Sequence, residues 1–562
     1  MNYDLAIANG TIVDGTGAPR FVGDLGIRDG KIAALGSVDG SATQTIDAKG
    51  RVVAPGFVDI HTHYDAQVLW DRMLSISPWH GVTTVVMGNC GFGVAPTRPA
   101  HRELILRTLE KVEGMSFEAL EAGVGHDWPF ETFPQYLDAL ERGGMAINVA
   151  AFVGHTPVRL YVMGEESTQR AATPDEIARM RAIVREAIEA GAVGFATSKA
   201  PTHVGYAGNP VPSRAAELDE VKAIVSELAS LDRGVVQATV GPGLFFDQFA
   251  ELAREFRRPV TWTALLAGMM GAGSHRMLLN RSIELIEEGL RIIPQVSCRP
   301  LLFDFNFEEP FAFESLPVFR PVSQADREGK KRIYADPSFR QALKDTFASS
   351  MAGPFAAAAN RIRISSSPQD PTIEERTVEE VARTRGVDPV DCILDLALAT
   401  DLKARFRMAI LNDNEDDVAE LLTDRHTVLG LSDAGAHASQ LCDACFSTHL
   451  LGHWVRERGT LSLERAVEML TTRPAEVLGI RDRGRLAVGM PADVVVFNPD
   501  TVGASKLRRV SDQPASASRF VADASGIDAV IVNGTVIRRD GTDAVDPHGR
   551  LPGRLLRGGA AK

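Results

Sequence analysis

The chain has 562 residues, 44% of them hydrophobic and 24% charged, with a formal net charge of −13. That length points to two or three domains, although a barrel can take about 250 residues or more into one core. The acidic balance argues against nucleic acid or an anionic membrane surface as partner, because both reward clustered Lys and Arg.

The N-terminus, Met1-Asn2-Tyr3-Asp4-Leu5-Ala6, has no basic stretch followed by an apolar one, and no apolar run reaches the length of a membrane span. The expected compartment is the cytoplasm. Five cysteines at irregular spacing make no disulfide framework and are expected to be reduced, mostly buried thiols.

Residues 1–55 read as hairpins. Leu5 to Ala8 and Thr11 to Val13 flank Asn9-Gly10, and Leu25 to Arg28 turns at Asp29-Gly30 into Lys31 to Leu35. Asn-Gly and Asp-Gly tolerate the positive φ that tight hairpin turns require. Near the other end, Ala529 to Ile537 repeats the pattern around Asn533-Gly534. The two ends, 1–55 plus 480–550, are therefore expected to share one β-sandwich domain. The tail after Gly549 is expected to be poorly ordered.

Between them, residues 56–479 alternate short apolar runs with helical segments, the pattern of βα units. Eight runs stand out: Phe57 to Ile60, Val82 to Met87, Ala146 to Val153, Ala192 to Thr197, Gly234 to Val240, Pro259 to Leu265, Leu290 to Val296 and Thr427 to Ser432. Thr173-Pro174-Asp175-Glu176 opens one helix with capping-box spacing and proline in the first turn. Eight units predict a (β/α)8 barrel of the TIM type, an α/β fold. Two connections are long: residues 91–144, and an insertion around 299–426 that carries Phe303, Phe305, Phe307, Phe311, Phe313 and Phe319. Both are candidates for lids or oligomer contacts.

A barrel gathers its chemistry at the C-terminal ends of its strands. Strand 1 there delivers His61 and His63, which alternation sends to one side; strand 2 delivers Asn89 and Cys90, strand 3 His155, strand 4 Lys199, and strand 8 Asp433 followed by His437. Imidazole, thiolate and carboxylate are zinc ligands. Each residue has a plainer alternative. His61 and His63 could lie on a solvated edge, Cys90 could be a small packed hydrophobe, Asp433 could cap a helix, Lys199 could be solvated, and His155 could hydrogen-bond a loop. Cys442-Asp443-Ala444-Cys445 has redox spacing but no thioredoxin-like surroundings and reads as packing near the rim.

Pro55 to His63, Gly88-Asn89-Cys90-Gly91-Phe92-Gly93, Leu431-Ser432-Asp433 and Gly484 to Phe497 together resemble the amidohydrolase superfamily. Cys90, Val153-Gly154-His155 and Thr448-His449-Leu450-Leu451-Gly452 resemble its D-aminoacylase (N-acyl-D-amino-acid deacylase) branch. The resemblance implies one or two divalent ions, Zn2+ foremost, held by His61, His63, Cys90 and Asp433. It also implies that Asp433 takes a proton from the attacking water and passes it to the leaving amine.

One departure stands out. The resemblance implies histidine ligands on strands 5 and 6, where this chain has Val236 to Val240 and Thr261 to Leu265 without one. Three alternatives follow: the metal shifts to His61, His63 and Asp433 with Cys90; Lys199 supplies a carboxylated bridge; or His155, His203 or His275 fills the gap. His155, Lys199, Arg276 and Arg299 are candidates for holding the substrate, with the phenylalanine-rich insertion over its acyl group. The expected activity is hydrolysis of a non-peptide C–N amide bond in a small carboxylate-bearing molecule, foremost an N-acyl-D-amino acid. Cyclic amide hydrolysis and a non-catalytic binding barrel are the alternatives. A homo-oligomer is compatible with the sequence.

Overall fold

Eight short parallel strands form the centre of the molecule: Phe57–Asp59, Val82–Met87, Asn148–Ala151 continued by Val153–Gly154, Gly194–Ser198, Val235–Thr239, Val260–Thr263, Ile292–Val296 and Val428–Leu429. They are called barrel strands 1 to 8 below. The computed structural model describes residues 2–310, 313–314, 316–349 and 361–561. Strands 1 to 3 pair in parallel, as do strands 3 to 8. Closure comes where Thr62 bridges Ala434, with Asp433 N–H donating to His61 O at 3.1 Å and His63 N–H to Ala434 O at 2.7 Å. Each of the eight expected runs overlaps one of these strands, with strands 3 and 4 each reaching one residue further than expected. Their residues are buried throughout, as β-branched parallel strands covered on both faces must be.

The outer helices start where the sequence signals them. In Pro174–Ala190 the Thr173 hydroxyl accepts from Glu176 N–H at 3.4 Å, and the Glu176 carboxylate accepts from Thr173 N–H at 2.8 Å. The connection after strand 2 folds into helices Arg102–Glu113, Phe117–Val124 and Phe133–Gly143.

Both chain ends share one nine-stranded sheet, in which Val52–Pro55 pairs antiparallel with Val494–Phe497. Its hydrogen bonding follows a single branched path, with Asn2–Ile12 pairing Ser41–Asp47 along its first half and Val52–Pro55 beyond. The Asp29-Gly30 and Asn533-Gly534 turns are hairpins, joining Arg28 to Lys31 and Val532 to Thr535. Asn9-Gly10 is not. Asn2–Ile12 runs through it as one strand, and Asn9, at φ 61°, forms a bulge whose N–H donates to Asp24 Oδ1 at 2.8 Å. A left-handed asparagine serves a bulge as well as a turn, and the neighbouring strand Phe21–Arg28 takes up the pairing on both sides of it.

Two further expectations change. The insertion after strand 7 builds its own unit: a three-stranded antiparallel sheet and helices around Phe305, Phe307, Phe313, Phe319, Tyr334 and Phe406. These phenylalanines bury one another, so they are not free to cover an acyl group; Phe311 lies outside the described residues. Phe303 differs, its ring standing 5.9 Å from that of His437. The tail after Gly549 is docked, with Leu551, Leu555 and Leu556 buried and Leu556 N–H donating to Val149 O at 2.8 Å. Among the described residues no helix is long and apolar enough to cross a membrane. All five cysteines are free and buried.

Candidate metal centre

The rim beyond strands 1, 2 and 8 brings four donors together. One ligand atom each from His61, His63 and Cys90 lies within 4.8 Å of the others. Cys90 Sγ is 3.4 Å from His61 Nε2, and Asp433 Oδ1 is 3.4 Å from His61 Nε2 and 3.7 Å from His63 Nε2. His61, His63 and Cys90 are buried; the Asp433 side chain keeps 21% of its surface exposed and faces the opening.

Local backbone geometry makes the cluster possible. Cys90, Leu431, Asp433 and His437 all have positive φ, between 45° and 60°, a concentration of strain that only a surrounding framework sustains. At Gly435 a Cβ would meet the His63 carbonyl at 2.7 Å, so only glycine lets the Asp433 loop lie against His63. Ser432 Oγ donates to both the Asp59 carboxylate and His61 O, tying strand 8 to strand 1. Burial pushes the Asp59 carboxyl up to about 7, and likewise Asp65, whose Oδ2 accepts from Gly88 N–H at 3.0 Å.

The ligand atoms are oriented from behind. Gln295 Oε1, 2.8 Å from His61 Nδ1, fixes the proton on that nitrogen and leaves the Nε2 lone pair facing the cluster. Glu113 Oε1 stands 3.3 Å from His63 Nδ1, and its second oxygen is buried with no hydrogen-bond partner. Gln237 Oε1 accepts from Cys90 N–H at 2.7 Å, and its amide nitrogen donates to Thr263 Oγ1 at 3.4 Å. Glutamine and threonine therefore fill the strand-5 and strand-6 positions where the resemblance implied histidines. They hold the cluster rather than extend it.

Charge shows what the cluster lacks. Burial raises the Cys90 thiol, but His61 and His63 bring it down to about 7. Burial also raises Asp433, yet His63, His61 and His437 hold it well below the usual carboxylate range. Burial depresses both imidazoles, and the anionic Cys90, Glu113 and Asp433 nonetheless pull them upward. Two anionic donors and two imidazole nitrogens with no lysine or arginine among them fit a divalent metal, and the N2SO set suits zinc.

The remaining candidates are committed elsewhere. Lys199 Nζ donates to Arg214 O at 2.9 Å and to Ala216 O, and its charged neighbours are Arg159, Glu220, Arg214 and Glu217 rather than the cluster. Its amino group is thus turned away from a bridging position by two backbone carbonyls. His155 is fully buried, with Nδ1 2.8 Å from Thr197 Oγ1 and Nε2 2.8 Å from Glu220 Oε1, so neither nitrogen is available to a substrate. Arg276 is half exposed and paired with Asp417 and Glu420, on the same carboxylates that His275 approaches. Arg299 is locked to Asp443 at 2.7 Å. Cys442 and Cys445 pack as buried free thiols. His203 does stand by the cluster, Nδ1 2.7 Å from Ser198 Oγ and ring 4.9 Å from Phe92, with burial and then His63 pushing it down to about 3. Glu113 is the residue that sequence reasoning missed. It lies fifty residues past His63, at the end of a helix in a long connection, with no motif around it.

Such donors converge on one barrel rim as a group that could hold a metal ion. The chain belongs to the amidohydrolase family, hydrolases acting on carbon–nitrogen bonds, whose profile matches residues 44–289 and 336–538. It is 30% identical to a D-aminoacylase of Alcaligenes xylosoxydans xylosoxydans, over 95% of this chain and 94% of that one. It is 31% identical to an N-acyl-D-glutamate deacylase of the same organism, over 99% and 96%. A crystal structure of N-acyl-D-glutamate deacylase from Bordetella bronchiseptica, complexed with zinc and a phosphonate mimic of the tetrahedral intermediate, superposes with a TM-score of 0.67. It is 28% identical and covers 99% of this chain and 100% of that one.

Proposed function

We propose that the protein is a zinc-dependent deacylase of N-acyl-D-amino acids that works with one metal ion. The observation that carries this reading is the convergence of His61, His63 and Cys90 within 4.8 Å, with Asp433 Oδ1 beside both imidazoles. Those four residues would hold the ion. A divalent ion held there would supply polarisation of a scissile carbonyl and would bring the pKa of an attacking water towards about 7. Asp433, on the open side of the cluster, is placed to accept the proton of that water and return it to the leaving nitrogen. Gln295 and Glu113 keep the two imidazoles oriented from behind, and His203 and His437 border the space in front. Strands 5 and 6 contribute amide and hydroxyl groups already bonded to one another, which favours a single ion over a pair. The similarity to proteins named D-aminoacylase and N-acyl-D-glutamate deacylase supports the substrate class.

The test couples metal analysis of the purified protein to a screen of N-acetyl-D-amino acids, their L enantiomers and cyclic amides. One zinc per chain, turnover confined to D substrates, and a loss of about 10²–10⁴-fold in kcat for Asp433→Asn are expected. A protein that cannot be loaded with metal, or one that turns over only cyclic amides, overturns the reading.

A further inference from the structure

We infer that the barrel end opposite the metal centre carries a binding site for a multiply charged phosphate compound. A cavity of about 900 Å3 opens there, bounded by the residues that lead into barrel strands 4 to 7, by residues 476–479, and by the docked tail at Arg557 and Gly558. The strands are about five residues long, so it lies roughly 16 Å below the rim.

Seven arginines line this cavity, against the two carboxylates Asp232 and Glu476. Three of the arginines have partners: Arg258 pairs with Asp232, Arg254 with Glu288, and Arg557 with Asp138 and Glu141. Among the described residues, Arg233, Arg257, Arg291 and Arg481 have no carboxylate within ion-pair distance. They come from four different segments yet face one space.

In a chain of net charge −13, four unpaired guanidiniums around one concavity are an uneven use of charge. Their like charges line one space, and the low-dielectric wall of Val193, Pro259, Val477 and Leu478 focuses their field. A ligand that pairs with several of these arginines at once must carry several negative charges spaced along it. Linked phosphates do so, and guanidinium binds phosphate oxygens in bidentate fashion. The volume admits an oligophosphate alone or one attached to a nucleoside.

Binding of inorganic tripolyphosphate, ATP and citrate to the zinc-loaded full chain is measured by calorimetry, for wild type and for the double variant Arg257→Glu/Arg291→Glu. Both residues are exposed, and both proteins share the metal centre, so chelation by the probe cancels in the comparison. Tripolyphosphate is expected to bind wild type more tightly than citrate, and the double variant about a hundredfold more weakly, about tenfold per guanidinium. Zinc content and deacylation should be unchanged. Tighter binding of ATP than of tripolyphosphate would assign the site to a nucleotide; equal binding would assign it to the phosphates alone. Indistinguishable binding by wild type and variant overturns the site. So does a change of oligomeric state in the variant, which would make the cavity a seat for an acidic surface of a second copy.

Discussion

The His61–Cys90–Asp433 cluster and the His155–Glu220–Arg159 network each start from a histidine that follows a strand of the same barrel, and their histidines are all buried. They differ in what supplies positive charge. In the second, the Arg159 guanidinium pairs with Glu220 and spends its remaining donors on Ser167 O and Arg170 O, at 3.1 and 2.8 Å. His155 completes the set at 2.8 Å, and no charge is left over. In the first, a thiol and carboxylates surround imidazoles with no arginine among them. Buried anions need a compensating positive charge; Arg159 supplies it in one place, and in the other the donor set is one that could hold a metal ion. The same rule disposes of the surface group His275–Asp417–Glu420, which has ligand types close enough for a metal but already contains Arg276.

The largest effect that separates the two buried clusters is on stability. Arg159→Met strands the Glu220 carboxylate and is expected to cost about 3–5 kcal/mol in denaturant unfolding. The folded fraction should keep its zinc. A cost near zero would mean that Arg159 is not the charge that makes the network structural. The network also has an acid limit. Burial raises the Glu220 carboxyl, but His155 and Arg159 bring it down to about 2, so its contribution is complete above about pH 4.5 and is lost as pH falls towards 2. Unfolding titrations of wild type and Arg159→Met should therefore converge below that window.

The metal cluster answers to a smaller change. Glu113 Oε1 stands behind His63 at 3.3 Å, so Glu113→Gln should weaken zinc binding by about 10–100-fold in chelator competition. The metal-free variant should unfold as metal-free wild type does. Equal zinc affinity would remove Glu113 from the supporting shell.

How far each of these residues was legible follows from how it is placed. His61, His63, Cys90 and Asp433 stand at strand ends, and a strand followed by a polar residue is visible in one dimension because the barrel fixes where strand ends go. The eight strands were visible for the same reason: burial on both faces writes a continuous apolar run. Glu113 and the Gln237 and Gln295 supports were not visible, since their roles depend on which side chain lies across the barrel. Lys199 and His155 illustrate the converse. Both follow strands, yet backbone carbonyls capture one and Glu220 the other, and neither partner is adjacent in sequence. Asn9-Gly10 and Asn533-Gly534 make the point for the fold. The same dipeptide makes a bulge where Phe21–Arg28 pairs on both sides of it and a hairpin where the chain turns back to pair with itself.

The smallest effect falls on the surface cluster, and its smallness is informative. Glu420 and Arg276 are about half exposed, and solvent screens such pairs, so Glu420→Gln should leave the unfolding midpoint, the zinc content and the turnover at wild-type values. Arg276→Gln reverses the electrostatics. It removes the guanidinium from between Asp417 and Glu420 while keeping His275 Nε2 3.2 Å from Glu420 Oε2. If an internal cation is what separates a structural histidine–carboxylate group from a metal site, this variant should take up a second, weakly held zinc that wild type and Arg276→Lys do not. Stoichiometry by metal titration reads it directly. No second zinc in Arg276→Gln would show that the arginine is incidental, and that the orientation from behind given by Gln295 and Glu113 matters more than the missing charge.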